Sequence, residues 1–226
     1  MDKAGFLIVD KPTDWTSHDV VAKSRGILGI RKIGHLGTLD PLATGVLVLA
    51  VGRAATKKVS EYMGADKEYE VEMELGKTSN TYDSEGEIVE TPDDYPAITP
   101  DQIEIEMENF WGTSMQMPPA FSAKKVNGQR AYKLARAGKE VKLKAREVTM
   151  QGKDIEIDYP FVRFTVTVSS GTYIRSLVHD IGKVLGCGAI MTALRRTRVG
   201  DFKLEDAISL EELNKNPSEA PLIPVN

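Results

Sequence analysis

A single cysteine, Cys187, occurs in 226 residues. One thiol excludes an intrachain disulfide and argues for a reducing compartment, so a cytoplasmic location is expected. Histidine is almost as scarce. His18, His35 and His179 are scattered, no His/Cys group stands at zinc-ligand spacing, and the chain is read as metal-free. No apolar run approaches the ~20 residues that a membrane helix needs. The opening Met1-Asp2-Lys3-Ala4-Gly5 leads into a short strand, so neither a secretory leader nor a membrane association is expected. Internal repeats and low-complexity tracts are lacking as well. What remains is an ordinary globular composition, 41% hydrophobic and 27% charged, long enough for one large domain or one domain with a small lobe.

The net charge of −4 argues at first against a polyanionic partner. Its distribution argues the other way. Residues 66–109 hold 15 acidic and 2 basic side chains, whereas residues 122–153 hold 10 basic and 2 acidic ones. A chain so segregated can present a basic face to nucleic acid, although two ordinary solvated faces would give the same counts.

In chain order, residues 5–9 read as a short buried strand. Ser17 is a candidate N-cap for a helix over about 19–28, stopped by Gly29. A loop over 34–45 precedes a buried strand at 46–51, and a helix is expected over 54–63. Tyr69, Val71, Met73 and Leu75 alternate with glutamates, the period of a strand with one wet face. A polar loop follows over 76–86. Thr99-Pro100-Asp101-Gln102 is a capping box with proline at the first helical position, opening a helix to about residue 110. The stretch 117–130 reads as a rigid linker, a short strand and an Asn127-Gly128 turn. A short basic helix is expected at 131–137, with strands near 141–150, 153–159 and 161–169. A helix over 173–185, a strand over 189–199 and a short helix at 206–213 complete the chain. This mixture, with its alternating strands, predicts an α+β fold built on a central, mostly antiparallel mixed sheet flanked by helices and loops.

One stretch stands apart: Gly34-His35-Leu36-Gly37-Thr38-Leu39-Asp40-Pro41-Leu42-Ala43-Thr44-Gly45, running into the apolar residues 46–51. The residue before proline is pushed out of the helical region, so Asp40 belongs in an extended loop at the mouth of a buried strand. That is where a scaffold places a catalytic carboxylate, and also where a plain Asx turn with a solvated aspartate occurs. With Lys11-Pro12 and Thr16-Ser17 upstream, the stretch resembles the TruB-type pseudouridine synthases. Met117-Pro118-Pro119-Ala120-Phe121-Ser122-Ala123-Lys124-Lys125, Gly171-Thr172-Tyr173-Ile174-Arg175 and Leu194-Arg195-Arg196-Thr197 match the same family in the same order. Three positions depart from its pattern: Leu36 for a small polar residue, Asp14 for glycine, and Asn80 for an aspartate in a Thr-Asp-Thr-like loop. Longer relatives continue into a PUA domain where this chain ends. The expectation is therefore a single pseudouridine synthase catalytic domain over 1–226, with a basic RNA-binding insertion at about 117–150 and no PUA domain.

The resemblance implies a cofactor-free enzyme that isomerises a T-loop uridine of tRNA, position 55 in tRNA numbering. Such chemistry needs a carboxylate near the anomeric carbon, as nucleophile or base. The resemblance assigns that role to Asp40, with Arg175 as the guanidinium that keeps it ionised and aims it. A stacked target base must be flipped out of the RNA. By resemblance Tyr69 receives it by stacking, Tyr173 is a second pocket wall, Leu194 floors the pocket and His35 fills the vacated stack. Lys11 belongs to the same substrate-binding set. Lys124, Lys125, Arg130, Lys133 and Arg136 would hold phosphates of the tRNA T arm. Each has a plainer reading: core tyrosines and leucine, a loop histidine bonded to backbone, a solvated helix arginine.

A monomer is expected. A guide-RNA-dependent, dyskerin-like subunit is an alternative, disfavoured because such chains are longer and carry the PUA domain. An RNA-binding folding helper would have no need of the Asp40, Tyr69, Tyr173 and Arg175 set. An N-glycoside hydrolase would want a second catalytic carboxylate, and no pair is visible.

Overall fold

The computed structural model describes residues 4–92, 98–122, 124–126, 128–139 and 141–225. The apolar start of the chain forms β1 (Gly5–Lys11), followed by helix α1 (Ser17–Leu28). The cap of α1 is Thr16 and not Ser17: the Thr16 hydroxyl accepts from the Asp19 N–H, and the Asp19 carboxylate accepts from the Thr16 N–H. Ser17 is released for another task, described below. Gly29, at φ 66°, ends the helix in the left-handed conformation. The expected 34–45 loop begins as a strand, β2 (Ile33–Leu36), paired with β3 (Thr44–Val51).

The single helix expected over 54–63 is two short ones, α2 (Gly52–Lys57) and α3 (Val59–Tyr62), because the chain tightens at Lys58, whose N–H bonds back to Ala55. Next come β4 (Lys67–Leu75), the hairpin β5 (Lys77–Ser79) with β6 (Ile88–Glu90), and α4 (Pro100–Glu108) behind its Thr99/Gln102 capping box. The hairpin lies in and beyond the region expected as a polar loop, and β7 (Gly112–Gln116) follows. A small hairpin, β8 (Lys125–Val126) with β9 (Gln129–Arg130), leads into α5 (Ala131–Arg136). Asn127 of the expected Asn-Gly turn lies outside the described residues.

The strands expected at 141–150 and 153–159 are one, β10 (Arg146–Asp158). It absorbs an irregularity in register between Lys153 and Glu156 without breaking. It pairs with β11 (Phe161–Val168). Helix α6 (Ile174–Leu185) and β12 (Ala189–Val199) run as expected, with Tyr173 as the helix N-cap and Gly186 as its stop. β13 (Phe202–Lys203), a 3-10 turn at Leu204–Asp206 and α7 (Leu210–Lys215) close the chain. The last helix starts later than expected because Ser209 and Glu212 form its capping box.

These elements form two compact units, residues 1–70 with 194–226 and residues 71–193. In the first, β1 and β2 flank β3 antiparallel, while β12 lies parallel to β3 with Arg195 opposite Thr44 and Arg196 opposite Gly45. Its core gathers Phe6, Ile8, Leu36, Val46, Val48, Ala50, Val199 and Phe202. In the second, β10 pairs antiparallel with both β11 and β7, and α6 buries Ile174, Leu177, Val178 and Ile181. The fold is a mixed one with a mostly antiparallel mixed sheet, as the strand alternation predicts. On β4, Tyr69, Val71, Met73 and Leu75 are buried and the glutamates between them point to the other face. That acidic face is partly neutralised: Glu72 pairs with Arg163 at 2.7 Å and Glu74 with Lys77 at 2.6 Å.

Candidate active site

Asp40 lies half-buried in a loop held at four points. At its two ends, the buried Arg196 donates from Nε to the Val46 carbonyl (2.7 Å) and from Nη2 to the Gly37 carbonyl (3.3 Å). Immediately before Asp40, the buried Ser17 hydroxyl both accepts from the Leu39 N–H (2.9 Å) and donates to the Leu39 carbonyl (3.1 Å). Immediately after it, the Pro41 carbonyl accepts from Lys11 Nζ and from the Asp14 N–H, both at 3.0 Å. The Asp40 carbonyl itself accepts from Ala43. The carboxylate is therefore carried on a backbone with little freedom left, which is what a reacting group requires.

Gly45 is obligatory here. Its φ is 93°, and a side chain at that position would collide with the backbone of Arg196 across the parallel strand pair. Asp14, where the family pattern has glycine, has φ 63°. The structure thus accounts for that departure: the position wants a left-handed residue, and aspartate tolerates that region better than most.

Lys11, expected at the substrate, is fully buried, and its ammonium donates to the carbonyls of Pro12, Trp15 and Pro41 at 2.5–3.0 Å. Its visible work is to tie the Lys-Pro segment to the Asp40 loop. His35 sits on β2, half-buried, with its ring 5.4 Å from that of His18. Its Nδ1 is buried with no hydrogen-bond partner among the described residues. Burial pushes the His35 pKa down, and the nearby His18 adds to the shift. Tyr69 on β4 and Leu194 on β12 are each 8% exposed, and the Leu194 carbonyl accepts from the Thr44 hydroxyl at 3.5 Å.

In the second unit, buried Gln116 clamps Tyr173 from both sides of its backbone. It accepts from the Tyr173 N–H at 2.8 Å and donates to the Tyr173 carbonyl at 3.0 Å. Arg175, 6% exposed on α6, pairs with the buried Asp83 at 3.4 Å. It also donates to the carbonyls of Thr81 (2.7 Å) and Phe121 (3.1 Å). Asn80, the third departure, has turned its side chain to a local task, accepting from the Glu87 N–H. Lys124 is half-buried, and burial together with the neighbouring Arg146 lowers its pKa. Arg130 on β9 is exposed, and the Lys125 side chain lies outside the described residues.

Sequence reasoning missed Ser17, Arg196, Gln116 and Asp83 as organisers. Ser17 and Arg196 were visible as motif members, but the contacts that define their roles span 22 and 150 residues. Asp83 had no signal to set it apart from the 14 other acidic residues of 66–109.

Residues 25–174 match the TruB family pseudouridylate synthase (N terminal domain), and residues 175–220 match the tRNA pseudouridylate synthase B C-terminal domain. The chain belongs to the TruB family. Among curated relatives, the tRNA pseudouridine synthase B of Opitutus terrae is 44% identical over 226 residues, covering 98% of this chain and 92% of that protein. The protein of the same name from Thermobifida fusca is 47% identical, covering 96% and 77%. Among solved structures, a Cbf5-Nop10-Gar1 complex contains a similar chain with TM-score 0.74 and 36% identity over 94% of this chain. This TruB-family chain spans about half, 54%, of that longer one.

Proposed function

We propose that this chain is a tRNA pseudouridine synthase that isomerises a T-loop uridine, position 55 in tRNA numbering, without a cofactor. The observation that carries the reading is the pinned carboxylate of Asp40, flanked by the Ser17 and Lys11 contacts, in a chain of this family. In the reaction the N1–C1′ bond breaks, the uracil turns and a C5–C1′ bond forms. C5 loses a proton and N1 gains one, so nothing is oxidised or reduced. Asp40 serves as nucleophile at C1′ or as base toward the neighbouring sugar carbon.

Tyr69 and Tyr173 are assigned to the flipped base, Leu194 to the pocket floor, His35 to the vacated stack and Arg175 to orientation of the reacting groups. The basic residues Lys124, Lys125 and Arg130 are assigned to T-arm phosphates. The expected state is a monomer in the cytoplasm; among the described residues no helix is long and apolar enough to cross a membrane.

Incubation of the pure protein with unmodified tRNA transcript, followed by mapping of pseudouridine, tests the proposal. Product at the T-loop uridine without any guide RNA supports it. Activity only with a guide RNA and added proteins would favour the dyskerin-like alternative, and tRNA refolding without product would favour the helper.

A further inference from the structure

Besides its bond to the Phe121 carbonyl, Arg175 is held by one loop. Its Nη1 donates to the Thr81 carbonyl and its Nε faces the Asp83 carboxylate, which is itself held by the Thr81 hydroxyl and the Glu85 N–H. Between these two residues stands Tyr82, a bulky residue at φ 68°. Nothing about tyrosine favours that backbone region, and such outliers persist only where the surroundings impose them. The Tyr82 backbone is fixed by its N–H to Ser79 and by its carbonyl, which accepts from Met191. Its ring lies flat on the imidazole of His179, centroids 3.9 Å apart and planes 12° apart.

His179 follows Arg175 by four residues on α6, so both side chains leave the same face of the helix. The loop is thus fastened to that face twice: by the Asp83–Arg175 pair, and by a ring stack one turn further on. Both rings are half-buried, and burial depresses the imidazole's pKa, with Asp180 opposing that shift and Lys183 adding to it. Burial also raises the phenol's pKa.

We propose that the Tyr82–His179 stack is a latch that positions Arg175, holding the loop of residues 79–85 in the one conformation in which Thr81 and Asp83 aim the guanidinium. Tyr82 and His179 are positioning residues; neither touches the reacting atoms. The proposal rests on the assignment of Arg175 to the reaction.

The test compares Tyr82→Gly, Tyr82→Phe, His179→Ala and His179→Phe with the parent and with Arg175→Lys, on unmodified tRNA. Tyr82→Gly is the sharpest variant, because glycine suits φ 68° and the fold should survive. Tyr82→Gly and His179→Ala should each lower kcat by about tenfold or more, with KM for tRNA little changed, since misplacement of a catalytic group costs rate and not RNA contacts. Tyr82→Phe and His179→Phe keep two stacked rings and should restore the rate. The double variant Tyr82→Gly/His179→Ala should be no slower than the worse single one, as expected for two halves of one device.

Amide hydrogen exchange reads the latch independently of activity. The protected Ser84 and Met191 amides, which bond to Met191 and Tyr82 carbonyls, should exchange faster in Tyr82→Gly and His179→Ala. Unchanged exchange, or an unchanged kcat while Arg175→Lys is slow, overturns the latch. If Arg175→Lys keeps the parental rate, the assignment of Arg175 to catalysis fails, and the exchange result alone decides whether the latch exists.

Discussion

Asp40 is one of 33 acidic residues, and what sets it apart is the rigidity of the backbone on either side of it. Asp40→Asn is isosteric and leaves every backbone contact of the loop in place. It should abolish pseudouridine formation while the melting temperature and tRNA affinity stay near the parental values; turnover near the parental rate would refute the assignment. Arg175→Lys keeps the charge but loses the planar fork that reaches Asp83, Thr81 and Phe121 at once. Its cost should fall on rate more than on stability. Equal losses in both would make Arg175 a structural residue. His35 titrates in a window that can be stated by sign. Burial holds its folded pKa below the ordinary value, so as pH falls through about 6.5 the unfolded chain takes up the proton first. The histidine's contribution is therefore complete at pH 7–8 and lost as pH falls below 6.5 toward the folded pKa. A melting-temperature profile over that range should be flatter for His35→Asn.

Among elements, the Asp40 loop shows how a secondary-structure signal can serve a distant need. The Thr16-Ser17 pair reads as a helix start, and one of the two is the cap. The other turns inward and satisfies both backbone groups of Leu39. Ser17→Ala leaves a buried N–H and a buried C=O without that partner, which should cost roughly 1–3 kcal/mol. The rate should fall with it, because Leu39 directly precedes Asp40. Thr16→Ala removes only the cap, and about 1 kcal/mol of stability, with the rate preserved. The contrast between the two neighbours is the measurement: denaturation and turnover must separate for Thr16 and move together for Ser17. α4 behaves as its capping box predicts, since Thr99 and Gln102 are local partners. The 54–63 helix does not, since the break at Lys58 leaves no local mark in composition.

For the molecule as a whole, charge segregation is the feature that bears on RNA. The acidic strand β4 spends two of its glutamates on Arg163 and Lys77, so its field is weaker than its composition suggests. In the basic stretch, burial and then the neighbouring Arg146 disfavour the charge on Lys124, a cost that a bound phosphate would offset. Charge reversal of Lys124 and Lys125 together should weaken tRNA binding and flatten the slope of log affinity against log salt by roughly one to two units. The modified uridine should not change, because the flipped base and the loop shape select it. An unaltered salt slope would mean that this stretch faces away from the RNA.

Motif order is sufficient to reach the family, strand alternation to reach the fold class, and the residue before Pro41 to single out Asp40 as the candidate carboxylate. Each of these is written in short stretches of chain: a carboxylate before proline, a buried run after it, a period of two along β4. The same locality explains β12, whose ends were legible; β10 instead runs unbroken through residues 151–152, where two strands are expected to part. The supports of the site belong to a different class of information. Ser17 meets Leu39, Lys11 meets Pro41 and Arg196 meets Gly37 and Val46 only once the strands have paired. Lys11 illustrates the difference best. Its motif places it with the substrate-binding residues, and packing makes it an inward-facing donor to three carbonyls, because burying an ammonium is tolerable only where its protons are all engaged. Residue type and spacing carry no record of that engagement, so it is the tertiary structure that decides it.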